Sequence, residues 1–139
     1  MLLVVLSLLT AQTGPAYQSV IRHADSTMLG GKVAYSLRCS RTNTYSVFLT
    51  LDNRARVAKV ELVTRSKPIQ SVIVRDLVTQ LKNLGPFSHV TMQCYGDSVA
   101  VGVTTDRVEK SGHFRGYVSF TMQENSISKP IVQDRLVTS

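Results

Sequence analysis

The chain has 139 residues, 43% of them hydrophobic and 18% charged, which is enough apolar mass for one domain with a real core and excludes a disordered polyelectrolyte. Sixteen Lys and Arg stand against nine Asp and Glu, a formal charge of +7; such an excess attracts anionic protein surfaces and polyanions without choosing among them. Aromatic residues make up 6% and Trp is absent, so nucleic acid is not indicated, because single-strand binding needs stacking platforms beside the cations.

Residues 1–16 carry no charged side chain. Leu2 to Leu9 form an apolar core, Ala11 or Ala16 offers a small residue before a cleavage point, and Gly14-Pro15 breaks a helix there, the pattern of a signal peptide that lacks a basic n-region. The run is too short for a transmembrane helix, which needs about 20 apolar residues. The expected organisation is a signal peptide over 1–16 and a single α+β domain over 17–139, in the periplasm or secreted. Tyr17 to Met28 fits a short helix or a strand.

After Gly30-Gly31 the apolar residues recur with period two, the signature of half-buried strands. Val33, Tyr35, Leu37 and Cys39 share one face, and Tyr45, Val47, Leu49 and Leu51 share the next. Asp52-Asn53 is a turn signal. Ala58, Val60 and Leu62 then face one way, against Lys59 and Glu61. The period changes at "SKPIQSVIVRDLVTQLKNLGP", where Ile69, Val72, Ile73, Leu77, Leu81 and Leu84 fall on one helical stripe. The spacing predicts a helix over about 67–84, with Ser66 as its cap, Pro68 in the first turn and Gly85-Pro86 as its stop. Strand patterns resume with Val90, Met92 and Cys94, turn at Tyr95-Gly96-Asp97, and continue through Val99, Val101 and Val103. Ala100 and Gly102 leave the other face of that run bare, inviting a close neighbour. Phe114, Val118, Phe120 and Met122 alternate in a further strand, and Ile131 to Val137 reads as the last. Strands, one long helix, then strands predict an α+β fold: an antiparallel sheet of about six to seven strands with the amphipathic helix packed on one face.

Cys39 and Cys94 both sit on apolar strand faces near strand ends, and in an oxidising compartment they are expected to pair. Their spacing matches no zinc pattern, and no metal or cofactor is expected. Two clusters could carry function. Arg38, Arg41, Arg65 and Lys67 lie at connections placed by a meander at one end of the sheet, a candidate anion-binding patch for carboxylate or phosphate. In "TTDRVEKSGHFRG", Glu109, His113 and Arg115 supply a base, an acid and a charge stabiliser within an expected loop. No P-loop, G-x-S-x-G, G-x-G-x-x-G or H-E-x-x-H motif is present. The sequence therefore favours an exported, non-enzymatic binding or accessory domain that meets an anionic protein surface or polyanion through a basic surface. The alternative is a small secreted hydrolase of phosphodiesters with ribonuclease-like chemistry.

Overall fold

Among the described residues, two sets of strands lie in sequence on either side of one helix. The computed structural model describes residues 21–23, as backbone, and residues 31–138; the expected signal peptide, 1–16, lies outside them. The first half gives β1 (Ile21–His23), β2 (Lys32–Arg38), β3 (Thr44–Leu51), β4 (Val57–Thr64) and the short β5 (Lys67–Pro68). These pair antiparallel in chain order. Helix α1 (Val72–Leu84) follows, then β6 (Phe87–Tyr95), β7 (Ser98–Glu109), β8 (Gly112–Gln123), β9 (Ser126–Ile127) and β10 (Ile131–Thr138). The second sheet runs β10-β8-β7-β6, and β9 pairs the far end of β8 on the side that β10 uses.

The expected α+β composition is present, but the strands form two sheets, not one. Their inner faces bury Tyr35, Leu37, Tyr45, Val47, Leu49 and Leu62 from the first sheet against Val99, Val101, Val118 and Met122 from the second, in one continuous core. This is the face-to-face layering by which two half-apolar sheets bury each other. Helix α1 closes one side of the core with Leu77, Leu81 and Leu84 and packs on β4, β7 and β8. Tyr35 of β2 meets the Phe87 ring edge-on, with centroids 6.3 Å apart, and Tyr45 Oη donates to the Asp97 carbonyl across the sheets. Cys39 and Cys94 are disulfide-bonded, joining the end of β2 to the end of β6.

Local departures from the sequence reading have physical causes. The helix begins at Val72 instead of near 67, because Ser71 is its cap, with its side chain accepting from Ile73 N at 3.1 Å. Pro68 is used in β5, where it opposes Val63, and Ile69 N donates to Leu62 O at 2.8 Å. Arg65 and Ser66 both take positive φ (53° and 67°) in the tight β4–β5 turn, so Ser66 is a hairpin residue, not a helix cap. Val72, expected on the apolar stripe, is 60% exposed. In β4, a register shift sets Leu51 against Val57 and Thr50 against Lys59. That bulge turns Ala58 outward and buries Val57, reversing the expected face at that point. The turn at Asp52 forms as read: its carboxylate accepts from Arg54 N and Arg56 N.

Candidate functional site

The C-terminal end of α1 fixes the geometry around which the second sheet's long hairpin is built. The last carbonyls of a helix have no partner inside it, and three side chains supply one. Arg56 Nη1 donates to Lys82 O at 2.7 Å, Thr105 Oγ1 to Leu84 O at 3.2 Å and Arg107 Nη1 to Leu84 O at 3.3 Å. Arg107 also holds both carboxylate oxygens of Asp134 on β10, at 2.8 and 2.9 Å, and Glu109 at 2.6 Å. Its guanidinium lies 4.5 Å over the Phe114 ring. Asp134 first, then Glu109, hold the Arg107 cation above its ordinary range.

Residues 106–115 are therefore not a loop. β7 runs through Glu109 and β8 starts at Gly112, leaving a tight turn at Lys110-Ser111. The alternation of side chains across this hairpin separates the candidate catalytic residues. Glu109 pairs with Arg107. His113 and Arg115 lie on the opposite, outward face, where both meet Asp106: His113 Nε2 is 3.0 Å and Arg115 Nε 3.1 Å from Asp106 Oδ1. Burial pulls the Asp106 carboxyl upward, but hydrogen bonds from Arg115, His113 and Ser88 together with the Arg115 charge outweigh it, leaving the group below its usual value. An ionised Asp106 thus anchors His113 and Arg115, while Glu109 is withheld from them. Among the described residues no three His, Cys, Asp or Glu side chains gather as a metal site.

Of the four cations, Arg41 lies in the Cys39–Asn43 connection, Arg38 and Arg65 bond to it and serve its shape, and Lys67 lies on β5 opposite Thr64. Arg38 donates to the carbonyls of Ser40 and Arg41 at 3.2 and 2.9 Å. Arg65 donates to Asn43 Oδ1 at 2.7 Å and Thr42 Oγ1 at 3.4 Å, and forms an ion pair with Glu124 at 3.3 Å. Asp97 and Glu124 border the adjoining hollow of about 310 Å³ together with Arg65, so acidic groups share it with that cation. Arg41 and Lys67 are exposed.

The larger concavity lies on the outer face of the second sheet, a groove of about 560 Å³. Ala100 and Gly102 form its floor, the bare positions evident in the sequence. The close neighbour they admit is Tyr117: a Cβ at position 102 would lie 2.6 Å from its Cζ. Lys129 and Ile131 stand at one rim. Beyond Tyr117 a second hollow of about 470 Å³ continues past Arg115 and Arg135, which oppose each other directly on β8 and β10. The small residues signalled this site, whereas Arg115 and Arg135 come from strands β8 and β10, whose adjacency only the fold reveals, and Lys129 from the connection before β10. No helix among the described residues is long and apolar enough to cross a membrane. Compared with known proteins, the chain matches no family model, no curated sequence and no solved structure, so the site is read from its own geometry.

Proposed function

We propose that the chain is a non-enzymatic binding domain, exported to an oxidising compartment, that recognises an anionic partner along the outer face of its second sheet. The observation that carries this reading is the open groove divided by Tyr117, with Lys129 on one side and Arg115 and Arg135 on the other. Neither Lys129 nor Arg135 has a carboxylate partner among the described residues, so both charges remain available to a ligand. The net charge of +7 adds long-range attraction for an acidic surface. The disulfide between Cys39 and Cys94 supports export, since such bridges persist where thiols are not kept reduced. The hydrolase alternative draws no support from Glu109 and His113, which occupy opposite faces of the hairpin.

Binding of a fluorescent polyglutamate peptide, titrated across a salt series, tests the proposal. Affinity is expected to fall steeply with salt and to drop about tenfold in the Lys129→Ala/Arg135→Ala double variant, the loss of two modest charge contacts. Affinity that stays flat with salt, or is equal in the double variant, would overturn it.

A further inference from the structure

We propose that strand β10 is a homodimer contact, pairing antiparallel with β10 of a second copy about a two-fold axis through Asp134. The inference is independent of the anionic-partner reading. β10 pairs with β8 on one side only, and its other edge has no strand among the described residues. All eight of its residues are exposed. Four of them are large and apolar: Ile131 at 63%, Val132 at 42%, Leu136 at 48% and Val137 at 43%. Solvent-facing edge strands are ordinarily blunted with charges, Pro or bulges. β10, Ile-Val-Gln-Asp-Arg-Leu-Val-Thr, has no Lys or Pro; its charges are Asp134, which Arg107 already holds, and Arg135, and its bulge lies at its end.

The occupant follows from symmetry. A two-fold pair of antiparallel strands keeps each side chain on its own face, so residues opposed across the axis must share a face and their numbers must sum to an even value. Centred on Asp134, β10 is a near-palindrome. Val132 opposes Leu136 of the second copy on the inner face, Ile131 opposes Val137, and Gln133 opposes Arg135 on the outer face. Every large apolar residue of the strand thereby meets another, the kind of cross-strand pair that stabilises a sheet. The centre would be two opposed carboxylates, which by themselves repel. Each, however, is already clasped by Arg107 through two bonds, so a cation stands beside each carboxylate and offsets part of the repulsion, although Arg107 is shared with Glu109. Shifting the centre to Arg135 would oppose two guanidiniums and set Leu136 against Asp134. The one irregularity, a register shift against β8 between Leu136 and Thr138, falls at the end of the paired segment. The product is a continuous sheet of eight long strands, β6-β7-β8-β10 and its symmetry mate.

Sedimentation equilibrium of the full chain over a dilution series tests the contact. Twice the single-chain mass is expected, falling to the single-chain mass in Leu136→Lys with an unchanged far-ultraviolet circular dichroism spectrum. A second variant tests the register and does not depend on Leu136→Lys folding. Directly opposed residues of an antiparallel pair have Cα atoms about 4.5–5.5 Å apart, within disulfide range. Asp134→Cys is therefore expected to oxidise to a covalent dimer, whereas Ile131→Cys, about 20 Å from its own mate at strand rise, is not. A chain of single mass at every concentration, a dimer that survives Leu136→Lys, or equal cross-linking at 131 and 134 would overturn the proposal.

Discussion

Asp106 is the residue on which the outward face of the β7–β8 hairpin turns. It is one carboxylate shared by His113 and Arg115, and its proton affinity in the folded state is lowered. Because the unfolded chain binds that proton more tightly, the interaction contributes stability above the unfolded value of about 3.9 and loses it as pH falls toward the folded value. The melting-temperature difference between the wild type and Asp106→Asn is thus expected to be constant near neutrality and to shrink below about pH 4. A difference that persists unchanged through the acid range would show that the carboxylate charge contributes nothing there. Sequence proximity supplied the ingredients of this cluster but matched the wrong acid to the histidine. Alternation in a strand pair decides which side chains meet, and it puts Asp106 and His113 together while sending Glu109 to Arg107. Arg107 itself was invisible as a keystone, because Asp134 is 27 residues away and comes alongside only through β8.

At the scale of elements, the helix shows how local chemistry competes. Ser66 and Pro68 offered one start, and Ser71 another. The earlier one was lost to the two-residue hairpin that makes β5, where strand pairing to Val63 and Thr64 satisfies backbone that a longer helix would otherwise have claimed. Ser71→Ala removes the acceptor for Ile73 N and is expected to cost about 1 kcal/mol, read as a shift in the denaturant midpoint with no change of slope. Ser66→Ala, by contrast, leaves the helix cap intact, and equal losses in the two variants would place the cap where the sequence first suggested. The main runs of the long strands were readable, since alternation marks a half-buried strand directly, but the adjoining ends of β7 and β8 were expected as a loop and the two-residue β5 and β9 carry no pattern. The division of the strands into two sheets was not readable, because a period of two says that one face is buried and not against what. The bulge at Ala58 was equally hidden, since it comes from the pairing register of β3 and β4 and not from any residue type.

For the whole molecule, the disulfide is the covalent tie between the two layers. It spans 55 positions of sequence, so the chain-entropy estimate for its loss is about 4 kcal/mol, within the range of about 2–5 seen when a native bridge is removed from a small domain. Cys39→Ser/Cys94→Ser is expected to fall by that amount in urea unfolding while keeping its far-ultraviolet spectrum. A double variant as stable as the wild type would mean that the layers hold each other without the tie. This pairing was readable from two cysteines on buried faces, because burial and strand ends leave few other places for them.

Among the described residues, strand pairing does not cross the helix: every ladder of the first sheet lies before α1 and every ladder of the second lies after it. Each half can therefore zip up through neighbouring hairpins, whose short loops cost little to close. A cut in the connection between β5 and α1 would then sever the peptide chain but no sheet. The two pieces would stay one molecule through Cys39 and Cys94, and they would separate only when a reductant is added.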